Sequence, residues 1–238
     1  MRFIVDNDNK IIFGWSPKCA CSHIKKIYYF LRSENDDINN IIHTPRDNMT
    51  LPQDINNYTT IIFIRNPYKR IISGFLDKYS KRGEYRPRWK HSTITFKMFV
   101  NELIKNDCRN KDDWKNMIEY HHFTSQTSEK FNKQQILKSH KLILNDIEKI
   151  DYEFIEKIYN KKIPESLLNF KGNHSRKTYK EDYNDYVYDL DMELYFNCNV
   201  DIKYFFDIEI KNKLRRFYKD DFLFFKKFGF DYENNTFD

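Results

Sequence analysis

The apolar positions of the chain form short runs that alternate with stripes at helical spacing. Residues 11–15 are a short apolar run of the kind found in buried parallel strands, and residues 59–64 are β-branched and apolar throughout. Short runs at residues 40–43 and 141–144 predict two further strands. Because strands that alternate with helices form parallel sheets, this order predicts an α/β fold.

Helices are predicted where apolar residues recur every three or four positions. The stripe after the first run predicts a helix that begins near Ser22. After the second run, Asn66 is a favourable N-cap and Pro67 a favourable first helical residue. The stripe of this helix leaves Arg70 and Ser73 on the opposite, polar face. Further helices are predicted over residues 96–104, 114–122 and 210–228, and from a cap at Asn145 or Asp146 towards Tyr159.

The composition fits a globular protein with an aromatic core. Of the 238 residues, 40% are hydrophobic and 17% are aromatic, with 21 Phe and 17 Tyr. A charged fraction of 32% alone would suit a disordered chain, but so many aromatic residues argue against one. We therefore expect a single domain over residues 1–238. The net charge of +6 favours anionic partners without naming them.

The cysteines and the N-terminus predict a soluble protein in a reducing compartment. Cys19 and Cys21 are one residue apart and poorly placed to bridge each other, so no disulfide framework is evident. With His23 they form a C-x-C-x-H pattern, but no second close pair completes four metal ligands, and we expect no metal. The N-terminus lacks the apolar segment of a signal peptide, and no run is long enough to span a membrane. The expected location is cytoplasmic.

The turn between the first strand and the first helix has the features of an oxyanion site. A helix that begins near Ser22 directs its free N–H groups and the positive end of its dipole at this turn. Lys18 adds a full charge there, and Ser22 adds a hydroxyl. The turn lacks the glycines and the Lys-Ser/Thr pair of the nucleotide loop GxxxxGKS/T, which argues against ordinary ATP binding. For these six residues alone, a basic turn without a ligand remains an alternative.

The order Pro17-Lys18-Cys19-Ala20-Cys21-Ser22 resembles the 5′-phosphosulfate loop of sulfotransferases that use 3′-phosphoadenosine-5′-phosphosulfate (PAPS), in the form of the membrane-type carbohydrate branch. Residues 65–75 resemble the 3′-phosphate motif of the same family, Arg-x-Pro-x-x-Arg-x-x-Ser. In that motif Arg65 and Ser73 match the Arg and Ser that grip the 3′-phosphate. Both motifs occur in family order, each at a predicted strand end. The resemblance implies a three-layer, P-loop-like α/β fold with a central, mostly parallel sheet flanked by helices.

The resemblance also implies an activity, which is sulfuryl transfer from PAPS to an acceptor hydroxyl. Lys18 would stabilise the leaving group, while the amides of residues 19–22 and the Ser22 hydroxyl would hold the 5′-phosphate. His43 is the expected base, because many members carry a catalytic His at a strand end between the two motifs. Ser175 and Arg176 lie in a basic loop, roughly where the family closes a flap over the nucleotide. No metal is required, since Lys and helix-end amides supply the positive charge.

The basic loop at residues 78–91 is expected to border the entrance of the acceptor. Arg86 and Arg88 would pair with carboxylate or sulfate groups, and Trp89 would stack on a sugar ring. His122 belongs to a segment with a weak likeness to a His-x-x-Pro-Gln segment of the family, with Ser125 where Pro is common. These residues favour a glycan as the acceptor, and the sequence does not name which one.

Two other functions would use the same features. A P-loop-type nucleotide kinase or NTPase would place a triphosphate in the first turn, but the strand at residues 59–64 ends in Arg65 instead of an Asp that could hold Mg²⁺. A nucleic-acid-binding module would use the basic and aromatic loop at residues 78–91. That function leaves both strand-end motifs unexplained, so we expect no nucleic-acid partner.

Overall fold

A computed structural model describes residues 2–32, 51–105, 117–119, 121–127, 139–169 and 181–234. The chain divides into unit 1, with residues 1–65 and 129–175, and unit 2, with residues 66–128 and 176–238. The expectation of one domain over residues 1–238 stays a prediction. The predicted strand at residues 40–43 lies outside the described residues, as do His43, Ser175 and Arg176.

The described part of unit 1 is built on a four-stranded sheet in the order β1-β2-β3-β4. β2, β3 and β4 are parallel, and β1 pairs with β2 in the antiparallel direction. The strands predicted at residues 11–15 and 59–64 are confirmed, and the one at 141–144 is confirmed with slightly later bounds. β1 was not predicted. The bounds are Arg2–Asp6 for β1, Ile11–Trp15 for β2, Thr59–Ile64 for β3 and Leu142–Asp146 for β4.

Helices of unit 1 cover one face of this sheet. With helices numbered in chain order, α1 is Cys21–Arg32, α4 is Tyr152–Tyr159 and α5 is Glu165–Leu168; a 3₁₀ turn spans Ile55–Asn57. Residues two apart along a strand share a face, so alternate residues of β2 and β3 pack together against α1 and α4. The rings of Phe13 and Phe63 stack at 5.9 Å. The cluster contains Ile4, Ile11, Phe13, Trp15, Cys19, Ile24, Ile27, Leu31, Ile61, Phe63, Ile155 and Ile163. The prediction of an α/β fold with a mostly parallel sheet and flanking helices is confirmed.

The start of α4 differs from the sequence prediction. Asp151 caps this helix, because its side chain accepts the N–H of Phe154 at 3.0 Å. The predicted cap at Asn145 or Asp146 is wrong, since β4 continues through both residues. The parallel pairing with β3 extends to Asp146, which lies opposite Ile64. Local sequence alone would suit a helix start at Asn145 or Asp146, but pairing with β3 makes both residues part of a strand.

Unit 2 combines helices with a small parallel strand pair around an aromatic core. Phe75, Tyr79, Phe96, Phe99 and Phe123 are fully buried, and the rings of Phe99 and Phe123 meet edge to face at 4.8 Å. The prediction of an aromatic-rich core is confirmed. The elements are α2 (Pro67–Lys78), α3 (Phe96–Lys105), β5 (Asp182–Tyr183), α6 (Met192–Tyr195), β6 (Asn199–Val200), α7 (Ile208–Phe217) and α8 (Lys219–Lys227), with 3₁₀ turns at Arg86–Arg88 and Ile202–Phe205.

Two helix predictions in unit 2 need correction. The single C-terminal helix is two helices, α7 and α8, with Tyr218 between them. Asp220 and Asp221 lie in the first turn of α8, where carboxyl groups favour a new helix start. The helix predicted over residues 114–122 is wrong where the structure describes it, because residues 117–119 and 121–122 are irregular. Within the described ranges, no helix is long and apolar enough to cross a membrane.

Candidate functional site

The turn between β2 and α1 has an unusual backbone. Cys19 donates its N–H to the carbonyl of Ser16 at 3.1 Å, which closes the turn. Lys18 has a φ of 68° and Ala20 a φ of 53°, so both occupy the left-handed region. A residue with a Cβ pays roughly 1–2 kcal/mol for that conformation. Two such residues in one turn indicate a shape that the fold imposes, and such positions cluster at functional sites.

Helix α1 presents its N-terminus to this turn. It begins at Cys21, and Ile24 makes a backbone bond to the carbonyl of Ala20 at 3.0 Å. The N–H groups of Cys21 and Ser22 come before this first backbone bond of the helix, so helix geometry gives them no acceptor within α1. Lys18, Cys21 and Ser22 are all half-buried. The turn therefore combines amides, a hydroxyl and an ammonium group, which suits a phosphate or sulfate oxyanion.

Ser16 is a residue of this turn that the sequence interpretation missed. Its side chain is 2% exposed, and within the described part of the chain its Oγ has no hydrogen-bond partner. A buried hydroxyl without a partner is uncommon and calls for an explanation, such as a ligand. The signal that could have identified it is a small polar residue placed directly after an apolar strand, at the carboxyl end where α/β sheets bind ligands.

Arg65 lies beside the first motif. Because β2 and β3 are parallel, the carboxyl ends of both strands lie at the same edge of the sheet. Arg65 follows β3 directly, and its Nη1 donates to the carbonyl oxygen of Lys18 at 3.3 Å. The first residue of the second motif therefore contacts the turn that carries the first motif, within unit 1.

His23 is engaged in the interior of unit 1. Its Nε2 lies 2.8 Å from the hydroxyl of Tyr152. Burial lowers the pKa of His23, and the charge of Lys26 lowers it further. Neither Cys19 nor Cys21 forms a disulfide with any described residue. Among the described residues, no group of three His, Cys, Asp or Glu side chains is arranged to hold a metal ion.

The second motif continues in unit 2 as helix α2. Asn66 caps it by accepting the N–H of Tyr68 at 2.9 Å, and Pro67 is its first residue, which confirms both predictions. Ser73 is half-buried on this helix. The placement of Arg70 on a polar outer face is wrong, because Arg70 is buried and its Nη1 donates to the carbonyl of Thr124 at 2.7 Å.

An irregular segment, Phe123–Thr127, covers this part of α2. A Cβ at Gly74 would lie 2.6 Å from Cε1 of Phe123, so only glycine allows this close approach. Tyr218 donates its hydroxyl to the carbonyl of Phe123 at 2.7 Å. Asp221 accepts the N–H groups of Gln126 at 2.8 Å and of Thr127 at 2.7 Å. Buried side chains from α2, α8 and the α7–α8 junction therefore fix the backbone of this segment.

The candidate acceptor residues of the basic loop lie in unit 2. The guanidinium of Arg88 stacks over the ring of Tyr85 at 4.4 Å, and Nε of Arg86 lies 3.9 Å from a carboxylate oxygen of Glu193. Trp89 is buried, and its Nε1 donates to the carbonyl of Thr93 at 2.8 Å. This placement favours a packing role for Trp89 over contact with a sugar.

His122 contacts a residue that the sequence interpretation also missed. Its Nδ1 lies 2.5 Å from Oε2 of Glu119, whose side chain is 6% exposed. The local signal was a Glu three residues before a His, which is too common to stand out in a sequence. Glu119 and His122 belong to unit 2, like Ser73, whereas Lys18 and Arg65 belong to unit 1.

Comparison with known proteins finds several carbohydrate sulfotransferases that align with part of this chain. The chain is 31% identical over 95 residues to carbohydrate sulfotransferase 11 of Danio rerio, covering 34% of this chain and 27% of that protein. It is 29% identical over 104 residues to carbohydrate sulfotransferase 10 of Danio rerio, covering 38% and 28%. It is 26% identical over 119 residues to human carbohydrate sulfotransferase 9, covering 45% and 26%. The chain therefore aligns with between 26% and 28% of the length of these relatives. No solved structure is significantly similar to it.

The sequence model of the sulfotransferase family matches residues 1–229. This match spans both phosphate motifs and every strand and helix described above. The observed sheet agrees with this match, because the two motifs lie at the carboxyl ends of neighbouring parallel strands. The chain therefore belongs to the sulfotransferase family.

Proposed function

We propose that the chain transfers a sulfuryl group from PAPS to a hydroxyl group of a carbohydrate. One observation supports this most strongly, namely that Arg65 donates to the carbonyl of Lys18 at the shared edge of β2 and β3. The contact places the first basic residues of the two motifs at one edge of the sheet, at the carboxyl ends of parallel strands where α/β sheets bind ligands. Family membership implies a sulfonate donor and a hydroxyl acceptor.

The residues of the β2–α1 turn fit the phosphosulfate end of such a donor. Lys18 supplies the charge, and the start of α1 supplies amides. The buried Oγ of Ser16 gives an independent reason to place a polar ligand here, because a bound oxyanion would satisfy it. Arg65 and Ser73 are assigned to the 3′-phosphate on the motif alone, and Ser175 and Arg176 to the nucleotide flap on position alone. The donor-binding set is thus Ser16, Pro17, Lys18, Cys19, Ala20, Cys21, Ser22, Arg65, Ser73, Ser175 and Arg176.

The chemistry is an in-line displacement at sulfur. The acceptor oxygen forms a bond to sulfur while the bond between sulfur and the phosphate oxygen breaks, and that oxygen keeps the electron pair. Lys18 stabilises the charge that develops on the leaving oxygen. The acceptor hydroxyl loses its proton to a base, for which the motif order suggests His43. The protein's main tasks are alignment and charge stabilisation.

A carbohydrate acceptor is proposed on two grounds. The relatives named above are carbohydrate sulfotransferases. In this chain, Arg86 and Arg88 lie in one 3₁₀ turn, and arginine pairs well with the carboxylate or sulfate groups of anionic glycans. The kinase and nucleic-acid alternatives are not favoured, since the family match covers residues 1–229.

The donor assignment is tested by ranking nucleotides by calorimetry. We expect 3′-phosphoadenosine-5′-phosphate to bind more tightly than the same nucleotide without its 3′-phosphate. Loss of one charge-assisted contact costs about 1.5–3 kcal/mol, which is about 10- to 150-fold in affinity. ATP with Mg²⁺ and a single-stranded oligonucleotide serve as controls for the two alternative functions. Equal affinity for the two adenosine nucleotides would contradict the assignment, and tightest binding of either control would replace it.

A further inference from the structure

We propose that the end of α8 is a docking surface for anionic lipid membranes. The surface consists of residues 223–230, called the α8 tip below, and it lies wholly within unit 2. Three observations support it, namely exposed apolar side chains, a fixed turn and a surplus of basic charge. The inference concerns binding to a lipid surface, so it goes beyond the proposed transfer reaction and does not depend on it.

The α8 tip exposes large apolar side chains that are neighbours on the helix. Leu223 is 50% exposed and Phe228 is 41% exposed. Residues four apart lie on the same face of a helix, which places Lys227 beside Leu223 and Phe228 beside Phe224. The ring centroids of Phe224 and Phe228 are 5.1 Å apart. Exposed apolar side chains that are adjacent, unlike scattered ones, mark an interaction surface.

The opposite face of α8 anchors the tip in the core of unit 2. Phe222 and Phe225 are buried. The ring of Phe225 lies 6.2 Å from that of Phe224 and 5.9 Å from that of the buried Tyr232. The core-facing side chains therefore hold α8 in place, and Leu223 and Phe228 are left on the side that faces solvent.

The turn after α8 holds the tip in one shape. Gly229 donates its N–H to the carbonyl of Lys226 at 3.1 Å, and Phe230 donates its N–H to the carbonyl of Phe225 at 3.1 Å. These two bonds form the Schellman pattern that closes a helix. Gly229 has a φ of 88°, and a Cβ built on it would have no described atom within 4 Å beyond its chain neighbours. The turn therefore projects into open space, with Phe228 and the half-buried Phe230 on either side of the glycine.

The exposed charges around the tip are mostly basic. Asp220 is exposed, and the half-buried Asp231 has a carboxylate oxygen 3.6 Å from Nζ of Lys226. Arg215 and Glu233 form an ion pair, so their charges offset each other. Lysines beside exposed Phe and Leu are the arrangement with which surface helices bind anionic headgroups. The exposed basic residues near the tip, apart from the paired Arg215, are Arg216, Lys219, Lys226 and Lys227.

Charge complementarity selects an anionic lipid surface over two other occupants of this patch. A second copy of the chain, related by a twofold axis, would set one tip against the other and bring like charges together. A nucleic acid would pair with the lysines but leave Leu223 and Phe228 in water. A lipid surface accepts both groups, because headgroups pair with the lysines while the apolar side chains enter the acyl boundary. Such a helix lies on the membrane and does not cross it.

Flotation of the full chain with lipid vesicles tests the inference. We expect the wild type to bind vesicles of phosphatidylcholine with phosphatidylserine, to bind phosphatidylcholine alone far less, and to lose binding as salt rises. Leu223→Ser with Phe228→Ser should lower the partition coefficient at least about 10-fold, because it removes the apolar contacts. Lys226→Glu with Lys227→Glu should also lower it at least about 10-fold, through lost attraction to the headgroups.

Two double variants outside the tip serve as matched controls. Leu194→Ser with Ile208→Ser removes apolar side chains that are 67% and 75% exposed. Lys105→Glu with Lys203→Glu makes the same change in net charge at lysines that are 76% and 53% exposed. Both control variants should bind the vesicles as the wild type does.

A second measurement needs no loss of binding. Phe228→Trp should be quenched by brominated acyl chains in vesicles that contain phosphatidylserine, and Leu194→Trp should not. Absence of quenching at residue 228 would overturn the inference, as would vesicle binding that Leu223→Ser with Phe228→Ser leaves intact. Dimerisation that this double variant abolishes, in a chain that does not float with vesicles, would assign the patch to a second copy instead. Because no donor is present, each outcome is independent of the proposed sulfuryl transfer.

Discussion

Replacement of Asp221 by Ala should destabilise unit 2 strongly. The Asp221 carboxyl is fully buried and accepts four hydrogen bonds from the segment Ser125–Thr127. Oδ1 accepts the hydroxyl of Ser125 at 2.6 Å. It also accepts the N–H and the hydroxyl of Thr127, each at 2.7 Å. Oδ2 accepts the N–H of Gln126 at 2.8 Å. Alanine removes every one of these acceptors at once.

The expected magnitude follows from the hydrogen-bond donors that lose the Asp221 carboxyl as their acceptor. Each backbone N–H that loses its acceptor in a buried position costs about 1–3 kcal/mol. The hydroxyls of Ser125 and Thr127 lie 3.0 Å apart and can bond to each other, so they add less. The N–H of Gln126 is buried, whereas the N–H of Thr127 is partly buried and keeps Oγ of Ser125 as an acceptor at 3.1 Å. The two amides together therefore predict a loss of about 2–4 kcal/mol in the free energy of unfolding. Asp221→Asn keeps one acceptor oxygen and should lose about half as much.

Asp220→Ala is the matched control for this measurement. Asp220 precedes Asp221 in the first turn of α8 and is exposed, so both variants lose the same interaction with the helix dipole. We expect a change within about 0.5 kcal/mol for this variant. Guanidinium unfolding, followed by tryptophan fluorescence with fitted midpoints and slopes, measures both values. A difference below about 1 kcal/mol between the two alanine variants would refute the reasoning about the buried acceptor.

Two further predictions follow from the described residues of unit 1. Ser16→Ala should leave the free energy of unfolding unchanged or slightly higher, because the buried Oγ has no partner among the described residues. It should nevertheless weaken binding of 3′-phosphoadenosine-5′-phosphate by about 5- to 10-fold in calorimetry. Unchanged affinity would remove Ser16 from the donor site. Asp6 is buried; burial alone would raise its pKa, but bonds from Asn9 and Tyr159 and the charge of Arg32 lower it below the usual value. The stabilisation is therefore present above about pH 4 and lost as pH falls through the folded pKa. Asp6→Asn should be less stable than wild type at pH 7, and denaturant titrations should show the gap narrowing below about pH 4.

Elements with strong local signals were predictable from the sequence. β3 is β-branched and apolar throughout, and its observed bounds equal the predicted ones. Helix α2 begins where Asn66 and Pro67 predict, because a cap and a fixed φ act on neighbouring residues. β1 escaped prediction, since Arg2–Asp6 is short and its partner β2 is what stabilises it as a strand.

The features that were missed depend on contacts distant in sequence. A helical wheel places Arg70 on the polar surface, whereas in the structure it is buried and bonds to the carbonyl of Thr124, 54 positions later. From the sequence, Trp89 suits stacking on a sugar ring. In the structure it bonds to the carbonyl of Thr93 and packs on the ring of Tyr79. Lys18 and Arg65 were assigned to one ligand from their motifs, but their contact across 47 positions is a property of the parallel sheet. The contact between Glu119 and His122 depends on where the carboxylate of Glu119 lies, and no rule of sequence spacing predicts that position.

The central claim is sulfuryl transfer, and the most direct measurement is transfer of radiolabelled sulfate from PAPS. Purified protein is incubated with a panel of neutral and anionic glycans, simple phenols and tyrosyl peptides, with Lys18→Ala as the control for donor-dependent turnover. We predict label on one or more glycans and almost none with Lys18→Ala. Label on phenols or peptides alone would contradict the carbohydrate acceptor. Absence of label from every acceptor, in a protein that also fails to bind 3′-phosphoadenosine-5′-phosphate, would contradict the sulfotransferase function itself.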